Sequence, residues 1–275
     1  MVCAGLGWGQ GLSVGNGSAV LIVAHGSRDP EAVAEISSQI QALAHGLPGT
    51  YVQGAVLEFP GTSIPSIKDG LTRCVQAGAH RVIVLPLFLF EAGHVREDIP
   101  GELARAAGQS TAHVSLLPPI LPESALLEVI SARAREALAT LGDERAEGSA
   151  VLLVGAGTSD PAANAELFRA ARLFWERREF PLVEVAFVSL TRPDVAEGVK
   201  RCVALGARRI AVVPYFLNSG VLIRRIAEAV QRSQAEVPAS LALAAHFGTH
   251  PALISSLVAR ARGALAGDSA VGQRK

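Results

Sequence analysis

The sequence has few cysteines, no long apolar run and no excess of either charge. Its three cysteines, Cys3, Cys74 and Cys202, form no C-x-x-C pair, which argues against an iron–sulfur cluster, a structural zinc site or a disulfide framework. The longest apolar run, Val82 to Phe90, has nine residues with a proline inside it, whereas a membrane-spanning helix needs roughly 18. We therefore expect a soluble globular protein.

Charges of the two signs balance, with 25 Lys and Arg against 25 Asp and Glu. Because there is no basic tract, the sequence shows no electrostatic footprint for nucleic acid. It also lacks the motif G-x-x-x-x-G-K-[ST], so we expect no nucleotide-driven mechanism. Residues 1–17 lack the basic and apolar regions of a secretory signal. We interpret them as a loose leader and expect a cytoplasmic protein.

The second half of the chain repeats the first. Residues 19–30, AVLIVAHGSRDP, return as residues 150–161, AVLLVGAGTSDP, and residues 81–89, RVIVLPLFL, return as residues 209–217, RIAVVPYFL. Such self-similarity indicates a duplicated domain. We place the first domain at 18–142, a polar linker at 143–149, the second domain at 150–266 and a disordered tail at 267–275.

Each half alternates short β-rich runs with segments of helical period, which predicts α/β domains with a parallel sheet of about four strands and helices on both faces. In the first half, strands are expected near 20–24, 51–59, 81–89 and 112–117. The first helix should begin at Asp29, with Pro30 in its first position, and end at Gly46. Cys74 and Cys202 fall at equivalent points on the buried side of one helix, so we interpret both thiols as structural.

Ligands of such sheets bind outside the carboxyl ends of the strands. His25 and His94 each follow a predicted strand on a glycine-containing loop, and Glu58 ends a third strand. Imidazole and carboxylate groups suit a first-row divalent ion. A surface histidine or a solvated strand end is the plainer interpretation of each residue taken alone, but their convergence on one edge favours a metal site.

The second half serves as an internal control for this site. Ala156 stands at the position of His25, Ser189 at that of Glu58, and Val221, after a one-residue gap, at that of His94. The scaffold is retained while the three polar residues are lost. We therefore predict one active centre, in the first half.

The segments AHGSR (24–28), LE (57–58) and PLFLFEAGHVREDIP (86–100) resemble the sirohydrochlorin cobaltochelatase and ferrochelatase family, over about residues 18–265 of this chain. The resemblance implies two tandem flavodoxin-like, chelatase-like domains and an enzyme of the lyase class. Its activity would be ATP-independent insertion of Co²⁺ or Fe²⁺ into sirohydrochlorin, in cobalamin or siroheme biosynthesis. The family's metal-binding histidines correspond to His25 and His94, and an acidic residue to Glu58. Asn218 departs from the family pattern, which has a second aromatic residue there.

Insertion requires the tetrapyrrole to lose two pyrrole protons while the ion sheds water. Neutral imidazoles can hold the ion and then accept protons, so His25, His94 and Glu58 are the candidate catalytic residues. Arg28 and Arg96 are candidates for binding the substrate carboxylates, and Phe90 for contacting the ring. The divalent metal is thus a substrate rather than a cofactor, the tetrapyrrole is the partner, and we expect a monomer.

Two alternatives remain open at the level of sequence. The tripeptide from Ala24 to Gly26 is similar to the R-H-G motif of histidine phosphohydrolases, although Ala24 replaces the required arginine. A non-catalytic carrier of metal or tetrapyrrole would bind the same ligands without accelerating insertion. The sequence also leaves the choice between cobalt and iron open, and nickel is conceivable.

Overall fold

The structure is a computed structural model, and it describes residues 17–61, 63–90, 97–107, 111–120, 124–142 and 148–267. The strands are β1 (Ser18–Ala24), β2 (Tyr51–Val56), β3 (Arg81–Pro86), β4 (His113–Leu116), β5 (Ser149–Gly155), β6 (Leu182–Phe187), β7 (Arg209–Pro214) and β8 (Ser240–Leu243). The helices are α1 (Pro30–His45), α2 (Ile67–Gln76), α3 (Ile99–Ala107), α4 (Ser124–Ala139), α5 (Pro161–Glu176), α6 (Val195–Ala204), α7 (Val221–Gln234) and α8 (Pro251–Gly267). Most of the predicted leader 1–17 (residues 1–16), most of the linker (143–147) and the tail after 267 lie outside the described residues.

The strands form two parallel four-stranded sheets, ordered β2-β1-β3-β4 and β6-β5-β7-β8. The two orders are the same, and the registers agree as well. Ala19 pairs with Tyr51 in the first sheet, and its counterpart Ala150 pairs with Leu182 in the second. The predicted α/β class and the predicted duplication are therefore confirmed.

Helix α1 begins and ends where the sequence predicts. The carboxylate of Asp29 accepts a hydrogen bond from the backbone N–H of Glu31 at 3.1 Å, Pro30 opens the helix, and Gly46 ends it. An N-cap acceptor and a first-position proline are what a helix start requires, because the first N–H groups have no intrahelical partner.

Two strands end three residues before the predicted position. Strand β3 ends at Pro86 rather than at residue 89, since proline has no N–H with which to extend the ladder. Strand β2 ends at Val56 rather than at residue 59, and Phe59 adopts a left-handed φ of 51°. Both strands therefore end before the loops at the carboxyl edge of the sheet, so these loops are longer than the sequence suggested.

Apolar side chains fill both faces of the first sheet. Leu21 and Val23 of β1 belong to a buried cluster with residues of α2 and α3, namely Ile67, Leu71, Cys74, Ile99, Leu103 and Ala106. Side chains alternate along a strand, so Val20 and Ile22 face the opposite side, where residues of α1 are also buried. Helices thus cover both faces, as predicted.

The repeated cysteines lie in these cores. Cys74 and Cys202 are fully buried and unpaired, and burial raises the pKa of each thiol to about 12. A thiol held protonated in this way is a poor nucleophile and a poor metal ligand. The prediction that these two residues serve packing is consistent with their surroundings.

The last helix of each repeat belongs to the compact unit of the other repeat. One unit contains the described residues up to 120 together with 253–267, and the other contains 124–252. Helix α4 therefore packs with β7 and α5, so the compact units differ from the contiguous stretches 18–142 and 150–266 predicted from sequence. The order of elements along the chain is the same whichever sheet the last helix covers, so the repeat pattern could not reveal the exchange.

Two equivalent arginines bind the ends of the exchanged helices. Arg81, the first residue of β3, donates to the carbonyl oxygens of Ala264 and Leu265 at the end of α8, at 2.5 and 3.0 Å. Arg209, the first residue of β7, donates in the same way at 2.7 and 2.9 Å, to the carbonyl oxygens of Leu138 and Gly142. A cation at a helix C-terminus satisfies carbonyls that have no intrahelical partner and complements the helix dipole.

Replacing either arginine with alanine is expected to destabilise the protein. Arg81→Ala and Arg209→Ala should each lower the free energy of unfolding by about 1.5–3 kcal/mol, the loss expected for hydrogen bonds to a charged group. Arg201→Ala is a matched control, because Arg201 is exposed, and it should change stability by less than about 0.5 kcal/mol. Urea unfolding would measure the stability of all three variants. Wild-type stability in Arg81→Ala and Arg209→Ala would show that the arginines do not hold the exchanged helices.

Among the helices in the described residues, none combines the length and apolar character that crossing a bilayer requires.

Candidate functional site

The carboxyl edge of the first sheet brings His25 and Glu58 onto neighbouring segments. Strands β1 and β2 are adjacent and parallel, and their pairing continues past their ends. The N–H of Leu57 donates to the carbonyl of Ala24 at 3.0 Å, and the N–H of Glu58 donates to the carbonyl of His25 at 2.8 Å. These backbone bonds fix the spacing of the two predicted site residues.

Gly26 makes this close approach possible. Its φ is 96°, and a Cβ at this position would lie 1.9 Å from the carbonyl oxygen of Glu58. Only glycine adopts such a backbone conformation readily and leaves room for the neighbouring carbonyl. The glycine after the candidate metal ligand is therefore a structural requirement of the site.

The second repeat builds the same loop without the polar residues. Gly157 has a φ of 82°, and a Cβ there would lie 1.9 Å from the carbonyl oxygen of Ser189. The N–H of Ser189 donates to the carbonyl of Ala156 at 3.0 Å. The equivalence of Ala156 with His25 and of Ser189 with Glu58, predicted from sequence, is thus reproduced by the hydrogen bonds.

His25 is exposed and Glu58 is half-buried. The Nδ1 atom of His25 lies 3.4 Å from the carbonyl oxygen of Gly26, and its ring lies 6.2 Å from that of Phe88, centroid to centroid. His94, the third member of the predicted trio, lies outside the described residues. Within those residues no group of three or more His, Cys, Asp or Glu side chains is close enough to hold a metal ion.

The residues predicted to bind substrate are placed in part. Arg28 is exposed, and its guanidinium lies 4.5 Å above the centre of the Phe59 ring. Phe90 is half-buried beyond the end of β3, and Arg96 lies outside the described residues. Phe59 was not among the sequence predictions. The only signal for it is the Pro-Gly dipeptide at 60–61, which indicates a turn directly after it.

The corresponding edge of the second sheet differs in character. Leu190, the counterpart of Phe59, is 83% exposed with a φ of 59°. Asn218, the counterpart of Phe90, is half-buried, and no hydrogen bond to its buried amide oxygen is found in the described part of the chain. This edge therefore has the loop geometry of the first but not its imidazole or its carboxylate.

Two of the other histidines, His250 and His45, contact the backbone at a helix end. His250 lies at the start of α8, where its Nδ1 accepts a hydrogen bond from the N–H of Ala252 at 3.3 Å. Burial, followed by the positive charge of Arg133, lowers the pKa of His250. His45 is exposed at the end of α1, with its Nδ1 3.0 Å from the carbonyl oxygen of Gln41. Both rings thus contact helix-terminal backbone.

Comparisons with known proteins match both repeats to one family. Residues 19–137 and 150–264 each match the CbiX family model. A sirohydrochlorin cobaltochelatase of Priestia megaterium is 37% identical over 253 residues, which cover 90% of this chain and 80% of that protein. A sirohydrochlorin ferrochelatase of Bacillus subtilis (strain 168) is 27% identical over 245 residues, which cover 89% of this chain and 90% of that protein.

Two solved structures, each of a protein named SirB, are similar to this chain along most of its length. SirB from Bacillus subtilis with Fe³⁺ matches with a TM-score of 0.78 and 27% identity, covering 93% of this chain and 98% of that one. The sirohydrochlorin chelatase SirB from Bacillus subtilis subspecies spizizenii in complex with cobalt matches with a TM-score of 0.74 and 26% identity, covering 90% and 94%. The similar structures therefore include one with iron, as Fe³⁺, and one with cobalt.

Proposed function

Because the chain belongs to the CbiX family, we propose that it is a sirohydrochlorin chelatase, which inserts Co²⁺ or Fe²⁺ into sirohydrochlorin without a nucleotide. The relatives named as cobaltochelatase and ferrochelatase support the substrate and the metals. The observation that carries the proposal is the difference between two matching sheet edges. Both have the same loop geometry, but only the first has an imidazole at 25 and a carboxylate at 58.

His25 and His94 are the proposed ligands of the incoming ion. An imidazole holds a first-row divalent ion through a single nitrogen, so two of them leave coordination positions open for the macrocycle. The exposure of His25 suits this role, since an ion must reach its ring from solvent and leave it again. The ion is a substrate of the reaction and departs with the product.

Proton removal is the other half of the proposed reaction. The metal-free macrocycle gives up two pyrrole protons, and the divalent ion takes their place, so charge is conserved. The imidazole of His25 can accept a proton once the ion has left it. Glu58, whose backbone is hydrogen-bonded to that of His25, is the second candidate proton acceptor, or else a group that orients the imidazole.

The remaining candidates would bind the substrate periphery. Arg28 and Arg96 are proposed to bind the carboxylates of sirohydrochlorin, because a guanidinium pairs with a carboxylate through two parallel N–H groups. Phe90 is proposed to contact the ring. We infer that the chain acts as a monomer, since duplication provides within one chain the two domains that a single-domain form would have to assemble by dimerising.

The test is anaerobic absorbance spectroscopy of sirohydrochlorin mixed with Co²⁺ or Fe²⁺, with and without the protein. Initial rates above the protein-free rate, proportional to enzyme concentration, are expected with at least one metal, and the ratio of rates ranks the two. A spectral change that saturates at one equivalent of protein without acceleration would identify a carrier instead. Hydrolysis of p-nitrophenyl phosphate would favour the histidine phosphohydrolase, against which the buried Ala24 in place of arginine already argues.

A further inference from the structure

Phe59 combines a partly exposed aromatic ring with a strained backbone conformation. The residue is 44% exposed, and its φ of 51° lies in the left-handed region. Glycine or asparagine would adopt this conformation at lower cost, and an exposed ring gains little from burial. The fold of the loop therefore gives no reason for an aromatic residue at this position.

The duplicate keeps the left-handed backbone but not the aromatic ring. Leu190 occupies the equivalent position, with a φ of 59° and 83% of its surface exposed. Its neighbour Ser189 has replaced the carboxylate of Glu58. The left-handed conformation thus belongs to the loop of both repeats, whereas an aromatic ring at this position occurs only in the first.

Arg28 is stacked on the Phe59 ring. Its guanidinium carbon lies 4.5 Å above the ring centre. Within the described residues this stacking is its one specific interaction, since no hydrogen bond or ion pair involves its side chain there. Stacking uses the face of a guanidinium and leaves the N–H groups at its edge available for a planar anion. Phe59 therefore holds Arg28 in a position from which it can bind a carboxylate.

The pair lies directly beside the candidate metal site. Phe59 follows Glu58, whose backbone N–H donates a hydrogen bond to the carbonyl oxygen of His25 at 2.8 Å. Arg28 is in the same loop as His25. The Phe59 ring also lines a cavity of about 180 Å³ together with Gly26, Ser27 and Gly61 among others. An apolar surface thus lies next to the proposed metal site, together with a guanidinium whose N–H groups make no hydrogen bond to the described residues.

We propose that Phe59 is a substrate-contact residue, which packs against the apolar edge of the tetrapyrrole and holds Arg28 against one of its carboxylates. This inference rests on the proposed chelatase function. The inference adds to that function a residue that selects for a large, flat, partly apolar ligand with a carboxylate at its rim. The two residues act as one unit, because the ring positions the cation and both face the ligand.

Four variants of the full-length protein test the pair: Phe59→Ala, Phe59→Asn, Arg28→Ala and the double variant Phe59→Ala/Arg28→Ala. Asparagine tolerates the left-handed backbone, so Phe59→Asn keeps the loop if alanine distorts it. Each single variant is expected to raise the KM for sirohydrochlorin by about tenfold, with kcat changed by less than about twofold and an unchanged dependence on Co²⁺ concentration. The double variant should raise the KM by less than the product of the two single increases, because the residues are coupled.

Phe168→Ala is the matched control, since Phe168 is 47% exposed but lies in α5, a helix of the second repeat. Phe168→Ala should leave the KM for sirohydrochlorin unchanged. Phe59→Tyr, which keeps an aromatic ring, should retain most of the affinity. A KM for Phe59→Asn within about twofold of wild type would overturn the proposal. So would an equal rise in Phe168→Ala.

The proposed function and the proposed role of Phe59 can fail separately. If the wild-type protein accelerates no insertion, the proposed function fails. Absorbance titration of metal-free sirohydrochlorin into the same variants then decides the role of Phe59 alone, with a weakened Kd in Phe59→Asn supporting it and an unchanged Kd refuting it.

Discussion

Replacing His25 with alanine is expected to reduce the rate of metal insertion by at least about 100-fold, the lower end of what a lost acid–base group costs. Stability should change by less than about 0.5 kcal/mol, as for other exposed surface substitutions. The His25 ring is exposed, and its contacts with the Gly26 carbonyl oxygen and with the Phe88 ring are long. The loss would therefore be chemical rather than structural, and initial rates of the anaerobic absorbance change at saturating metal would measure it.

His45→Ala is the matched control for this result. His45 is also an exposed histidine whose Nδ1 lies near a backbone carbonyl, but it is at the far end of α1. We expect it to retain the wild-type rate. Ala156→His, which places an imidazole in the equivalent loop of the second repeat, should restore no activity to His25→Ala, because that loop has Ser189 in place of the carboxylate. Wild-type turnover by His25→Ala would refute the site assignment.

The sequence predicted most of the fold because the duplication doubled every local signal. The cap at Asp29 and Pro30 is repeated at Asp160 and Pro161, and both helices begin there. What it missed depends on contacts between segments distant in the chain. The exchange of α4 and α8 leaves the order of elements unchanged, and no local pattern records which sheet a helix covers.

The candidate site was predicted in part for the same reason. His25 and Glu58 could be placed together, since parallel neighbouring strands end at the same edge. Phe59 could not be identified, because its role arises from a left-handed backbone and from the guanidinium of Arg28 stacked on it. Both features depend on how two loops meet, and the sequence shows only an apolar residue before a Pro-Gly turn.

Comparison of the equivalent loops in the two repeats also distinguishes what the fold requires from what the reaction requires. The second repeat keeps a left-handed glycine, a carbonyl packed against it and the backbone hydrogen bond between the two loops. It keeps neither the imidazole nor the carboxylate. Features present at both edges are therefore requirements of the α/β fold, whereas those present at only one edge are candidates for function.

Gly26→Ala is expected to lower the free energy of unfolding by about 3–5 kcal/mol, which exceeds the effect of most single substitutions. A left-handed alanine costs about 1–2 kcal/mol by itself. The added Cβ would also lie 1.9 Å from the carbonyl oxygen of Glu58, so one of the two loops must move. Gly78→Ala isolates the first cost, because Gly78 has a φ of 97° with no atom within 4 Å of the added Cβ.

Gly157→Ala is the decisive comparison, because its Cβ would meet the Ser189 carbonyl at the same 1.9 Å. We expect urea unfolding to show a similar loss of stability for both variants. Their activities should differ at a temperature where both remain folded. Gly26→Ala forces apart the two loops that carry His25 and Glu58 and should lose most insertion activity, whereas Gly157→Ala disturbs a loop without either residue. Equal loss of activity in the two variants would mean that the chemistry depends on both edges and that the site is not confined to the first repeat.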